Sequence, residues 1–245
     1  MYDLANFSKT DMYDCAIALR NAGSGAKSME EVASRIVDYL YKHCIDQQTG
    51  QSAGALVRFF KTHPYGRLTE ELQQAARTVV SNMPITYNTK CLTLLATAGE
   101  EAHWNSRNGS TGHKAIPLVD EGFVKRAPMI SQLIQQFGLE VSAVIEPIPN
   151  LLIEAERKIH NTFIFHVPDA LGSQHIPAQK EFVVPYGVRS VLGFGGLLPT
   201  GDLFIIILFM KTQVPQETAD LFKWISASAW LAAATFDGEA VFNHK

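Results

Sequence analysis

The sequence predicts an α+β domain, a sheet covered by helices, and three observations carry that expectation. Tyr186 to Lys211 reads as two buried apolar strands folded back on each other around Pro199-Thr200-Gly201-Asp202. An amphipathic helix, Pro215 to Phe236, follows almost at once. Upstream, helices and strands succeed one another without the strict alternation of a doubly wound parallel sheet, which favours a mixed sheet with helices on it.

Taken in order, residues 8 to 22 place Met12, Cys15, Ala16 and Leu19 at helical spacing, and Gly23-Ser24-Gly25 then breaks the pattern. Ser28 and Glu31 have the spacing of a capping box, ahead of a helix whose apolar stripe is Val32, Ile36, Tyr39 and Leu40. Ala53 to Lys61 is a strand, entered through the polar turn Gln47 to Ser52. His63 to Gly66 is a turn. Thr69 then caps a helix carrying Leu72, Ala75, Ala76 and Val79.

Lys90 to Thr97 is a second buried strand. Glu100 to His113, rich in Gly, Asn and Ser, reads as an exposed loop, and Lys114 to Val119 as a short extended piece. Pro128 suits the first turn of a helix through Met129, Leu133, Ile134 and Phe137, which Gly138 ends. Thr162 to Val167 is strand-like, Pro168 to Pro177 is a loop, and Phe182 to Pro185 leads into the closing hairpin.

Bulk properties narrow the role. The 245 residues are 47% hydrophobic and 18% charged, ordinary globular usage with room for a sizeable core. A net charge of −3 and no Lys/Arg cluster argue against nucleic acid, because phosphate binding needs a basic face. The longest apolar run, Leu203 to Met210, falls far short of the roughly 20 residues a bilayer requires, and the N-terminus carries no secretory pattern. Cys15, Cys44 and Cys91, odd in number and widely spaced, point to free thiols in a reducing cytoplasm.

The stretch Arg189 to Phe204, with Pro215 to Phe222, resembles GAF-like sensor domains on the N-terminal side of bacterial, cyanobacterial-type histidine kinases and related signalling proteins. Thr93 to Asn105 and His113 to Leu118 look like the same group. The resemblance spans roughly residues 28 to 236, leaving 1–27 as a leading helix and 237–245 as a tail. It implies a central six-stranded antiparallel sheet with the N- and C-terminal helices on one side, and a ligand or partner surface on the other. It also implies signal passage through those helices, which can form a homodimer bundle and meet a signalling partner. No phosphoacceptor helix or ATP-binding glycine boxes follow in these 245 residues, so kinase activity is not carried over, and a stand-alone module and a fragment both stay open.

Candidate chemistry is sparse. Gly193, Gly195, Gly196 and Gly201 lack phosphate-loop spacing and open no helix, so they read as hairpin glycines. His160, His166 and His175 share a segment without metal-ligand spacing; haem through His166 or His160 is the sharpest ligand hypothesis among them. The Cys-His pair used for bilin attachment is absent. Three cysteines echo free methionine sulfoxide reductases of this group, but Cys15 lies on the leading helix. No Gly-x-Ser-x-Gly elbow is present, and Glu100-Glu101 and Asp120-Glu121 read as solvated charges.

The expectation is therefore a non-enzymatic sensory or regulatory domain that binds a small molecule of unknown identity in a sheet pocket. Its candidate ligand residues are Trp104, His113, Phe165, His166, Tyr186 and Arg189, with Arg189 facing an anionic group and Trp104 or Phe165 forming an apolar wall. The alternatives are an interaction module with a degenerate pocket, and a haem-binding redox sensor or sulfoxide reductase.

Overall fold

Six strands form a single sheet in the computed structural model, which describes residues 1–80, 83–110, 112–146, 162–238 and 240–243. They are β1 (Gly54–Pro64), β2 (Lys90–Gly99), β3 (Ala115–Pro117), β4 (Thr162–Val167), β5 (Ser190–Leu197) and β6 (Leu203–Met210). The spatial order is β3-β2-β1-β6-β5-β4, and every neighbouring pair is antiparallel. β5 and β6 pair without a slip from Ser190↔Met210 to Leu197↔Leu203. Gly201 turns the corner at φ +80, a left-handed value that favours glycine, while Leu198 N–H donates to the Asp202 carbonyl at 2.7 Å. This is the GAF-like sheet that the resemblance implies.

The helices are α1 (Lys9–Asn21), α2 (Met29–His43), α3 (Glu70–Val79), α4 (Glu121–Lys125), α5 (Pro128–Gln136), α6 (Val141–Ile145) and α7 (Gln216–Ala233). α2 and α7 lie on the strands, and α1 lies against α7. These terminal helices share one sheet face, as expected. Strand alternation explains the core beneath them: Val57, Phe59, Phe194, Phe204, Ile206 and Leu208 point to this side and meet Ile36, Leu40, Phe222 and Ile225. Fully burying each such side chain contributes about 1.5–3 kcal/mol. α3 covers the neighbourhood of edge strand β3 through Leu72, Ala76, Cys91 and Ala115.

The opposite face has a different cover. Leu56, Phe60, Phe165, Ile205, Ile207 and Phe209 meet short helices α4 to α6 and the irregular chain between β4 and β5. That chain includes a π-helical turn, Gln179–Val183, which overlaps the start of the Phe182 to Pro185 lead-in to the closing hairpin.

Three local expectations need correction. The capping box is at Ser8 and Asp11, not at Ser28: Ser28 Oγ does accept from Glu31 N–H at 3.1 Å, but the Glu31 carboxylate takes the Lys27 N–H at 2.9 Å, one residue too early. Thr69 stands at an N-cap position with no side-chain capping bond. The segment after Phe236 is packed rather than trailing: the carbonyls of Ala240 and Val241 accept the N–H groups of Met29 and Glu30 at 2.8 and 2.9 Å. Those are orphan donors of the first turn of α2, so the C-terminal chain satisfies that helix end.

Candidate functional site

The candidate site lies on the face away from the terminal helices and can be built rung by rung from the sheet register. Leu56 of β1 stands between Gly99 of β2 and Phe209 of β6. Over this rung sits an aromatic group. The Trp104 ring fills the place where Gly99 has no side chain, since a Cβ there would lie 2.8 Å from it. Tyr186 tilts against Trp104 at 4.6 Å between centroids, and Phe182 meets Trp104 at 5.6 Å and Phe209 at 5.0 Å. Tyr186 OH donates to Glu101 at 3.2 Å.

One same-face step along β1, about 7 Å, is the rung Thr97–Arg58–Ile207. Arg58 is the one residue of β1 from Gly54 to His63 that is not buried. Solvent therefore reaches the middle of a central strand at this point, which requires an opening in the cover. The guanidinium is nonetheless largely enclosed: burial lowers its pKa to about 10, and among the described residues no carboxylate pairs with it. Among the described residues its Nε is buried without a hydrogen-bond partner, and so is the neighbouring Thr97 Oγ1. An enclosed charge lacking a counter-charge is costly, which makes the rung a polar spot inside an apolar wall.

His113 joins the opening. Its backbone holds φ 60, uncommon for a non-glycine residue. The residue is exposed; partial enclosure of the ring by nearby protein, then the Arg58 charge, lowers its pKa. Phe165 shares the face but belongs to β4, three strands from β1, or about 14 Å at ordinary strand spacing. Trp104, His113 and Tyr186 are thus gathered about the Leu56 and Arg58 rungs, with Phe165 farther along the same wall.

Two candidates lie elsewhere. His166 points to the helix-bearing face, where its ring nitrogens meet the Val214 carbonyl at 2.9 Å and Gln216 Oε1 at 3.0 Å. Arg189, before β5, is exposed. His160 lies outside the described residues. Arg58 is the residue that sequence reasoning passed over. Its signal is an arginine at an alternation position where Leu56 and Phe60 are apolar.

A second polar cluster sits at the far end of β1. Lys61 is fully buried, with Nζ 2.6 Å from Asp202 Oδ2 and 3.2 Å from Asp237 Oδ1. Lys90 Nζ meets Asp202 Oδ1 at 2.6 Å. Burial alone would raise the Asp202 pKa, but the Lys61 and Lys90 charges outweigh it and hold the carboxyl below its usual range. His63, Lys90, Arg67, Thr200 and Asp202 border a cleft of about 260 Å³ there.

Cys15, Cys44 and Cys91 are free and buried. Burial pushes the Cys15 thiol well up and the Cys44 and Cys91 thiols to about 12, away from the thiolate a nucleophile needs. Among the described residues no His, Cys, Asp and Glu group is arranged to hold a metal ion, and no helix is long and apolar enough to cross a membrane.

No protein-family model and no curated protein matches the chain. Among solved structures it is similar to the VqsR LBD domain from Pseudomonas aeruginosa, with TM-score 0.39 and 11% identity, covering 96% of this chain and 100% of that one. The phycoerythrobilin-bound GAF domain from a cyanobacterial phytochrome matches with TM-score 0.39 and 9% identity, covering 93% and 97%. The N-acylhomoserine lactone dependent LuxR family transcription factor CepR2 from Burkholderia cenocepacia matches with TM-score 0.34 and 12% identity, covering 93% and 95%.

Proposed function

We propose that the chain is a sensory or regulatory module of a bacterial cytoplasmic signalling system, binding a small molecule on the sheet face opposite its terminal helices. The observation that carries this reading is the opening at Arg58. Central strands of a doubly covered sheet are normally sealed, and here one is reached by solvent at a polar residue flanked by half-buried aromatics. Concave, mostly apolar walls with a few convergent polar groups are what small-molecule sites use. Trp104, His113 and Tyr186 contribute the ligand surface together with Arg58, while Phe165, fully buried and three strands away, backs the same sheet face. His166 and Arg189 act outside that patch, His166 by tying β4 to the start of α7.

The signal is a population shift between two arrangements of the terminal helices. A physical route for it exists. The loop that carries Trp104 and His113 also carries Arg107, which is ion-paired with Glu30 in the first turn of α2 and lies over the Phe242 ring. A ligand that moves the loop therefore pulls on α2 and on the C-terminal chain. α1 and α7 leave Tyr13, Ile17, Trp224 and Leu231 exposed, which supports homodimer contact or a signalling partner through these helices. The role is binding rather than catalysis: the thiols are buried, and the ring nitrogens of His166 are committed to Val214 and Gln216.

Native mass spectrometry of the purified chain tests both halves. A retained small molecule, or a ligand-dependent rise in melting temperature across a metabolite panel, together with a dimer, is the expected result. A monomer that retains nothing and is stabilised by nothing in the panel overturns the reading.

A further inference from the structure

We infer that the ligand is an amphipathic anion, with a carboxylate, phosphate or sulfonate group set against Arg58 and an aromatic or other apolar body against Trp104, Phe182 and Tyr186. The inference rests on the ligand-binding reading above and names the chemistry that reading leaves open.

The register supplies the geometry. The charged rung and the aromatic rung are adjacent on one sheet face, separated by about 7 Å along β1, so a single molecule of modest size spans both. Arg58 brings a permanent positive charge with a planar array of donors suited to an oxyanion. Ion pairs with described carboxylates occupy Lys61, Lys90, Arg107 and Lys211, whereas none occupies Arg58. The carboxylates bordering the aromatic rung have other partners, Glu101 accepting from Tyr186 OH and Glu100 ion-paired with Lys211, and His113 adds no negative charge. Thr97 Oγ1, directly opposite Arg58 and without a partner among the described residues, supplies a hydroxyl to the same rung. A neutral or cationic ligand would leave the guanidinium uncompensated; an anion compensates it.

The probes are anilinonaphthalene sulfonate and phenylnaphthylamine, which share an aromatic body and differ in the anionic group. Both are titrated by fluorescence into the full chain and into Arg58→Met and Arg58→Lys. The expected result is one saturable sulfonate site, weakened roughly tenfold or more in Arg58→Met and largely retained in Arg58→Lys. Phenylnaphthylamine affinity should be the same in all three proteins. Displacement by decanoate, by decyl phosphate or by inorganic phosphate then separates carboxylate from phosphate heads and shows the need for an apolar body.

Arg58→Met should melt at or above the temperature of the unsubstituted chain in the absence of probe, because it removes an uncompensated charge. A marked fall in melting temperature would make Arg58 a structural residue and overturn the inference. Equal loss of both probes, or none of either, in Arg58→Met would overturn it as well while leaving the pocket in place. Failure of both probes to bind the unsubstituted chain would instead strike at the ligand-binding reading itself.

Discussion

Lys61 Nζ sits 2.6 Å from Asp202 Oδ2, inside the protein, joining β1 to the turn of the closing hairpin. Lys61 also donates to the Thr62 carbonyl at 3.0 Å, and Thr62 Oγ1 accepts from Leu203 N–H at 2.8 Å. The hairpin corner is thus held by ionic and neutral hydrogen bonds together. Removing either charge breaks a buried pair, leaving Lys61 with Asp237 or Asp202 with Lys90. Lys61→Met or Asp202→Asn alone should cost about 3–5 kcal/mol, and a combined apolar replacement should cost distinctly less than the sum. Denaturant unfolding of the two single variants and the double variant checks this. Strictly additive losses would show that the pair is not coupled.

The same carboxyl makes stability sensitive to acid. The Asp202 pKa is depressed in the folded chain, so its contribution is complete above the unfolded carboxylate value, near 4, and falls away as pH drops through the folded value. Asp202→Asn should flatten the stability profile on that acid side.

His63 adds a separate limb at milder pH. Burial, then the Lys61 charge, lowers its pKa to about 4, against an ordinary value near 6.5. Between those values the unfolded chain holds a proton that the folded chain refuses, so stability rises with pH across the window and is complete above it. The contribution is on the order of 3 kcal/mol for this buried ring. Melting temperatures of His63→Phe measured at pH 4.5 and pH 7.5 should differ less than those of the unsubstituted chain, and an unchanged difference would remove His63 as the cause.

Gly195 is required by close approach rather than by a special φ. A Cβ at this position would lie 2.0 Å from the Phe204 carbonyl oxygen on β6. Gly195→Ala must push the two strands apart and should destabilise by roughly 1–3 kcal/mol or more. Gly193→Ala meets side chains rather than backbone, Phe165 at 3.1 Å and Ile205 at 3.4 Å, and should be milder. Paired thermal melts decide the ranking.

The exposed side chains of α1 and α7 permit a test of assembly that leaves the fold alone. Ile17→Glu and Leu231→Glu alter exposed positions and should change stability by no more than about 0.5 kcal/mol. They should nevertheless shift the sedimentation coefficient of a dimer toward that of the monomer. An unchanged coefficient with intact folding would place any dimer contact elsewhere.

Much of the architecture is legible before folding because it is encoded over short distances. β4 falls at Thr162 to Val167 and α5 begins at Pro128, since period-two apolar runs and a first-turn proline are local signals. The hairpin around Gly201 is local in the same way. The site is less legible. Trp104, His113 and Tyr186 stand out as aromatic or titratable residues in polar loops, yet His166 carries equal promise in sequence and folds to the other face. Arg58 looks like one charge in a strand until the register sets it beside Thr97 and Ile207.

What the chain determines by itself is therefore the run of helices and strands, the antiparallel corner and the alternation that divides each strand into two faces. Tertiary structure alone decides which face the terminal helices cover, which strand becomes central, and that an arginine on that strand is enclosed with no counter-charge among the described residues. The physical reason is that periodicity reports the local direction of a side chain, whereas burial and electrostatic compensation depend on atoms brought near by distant parts of the chain.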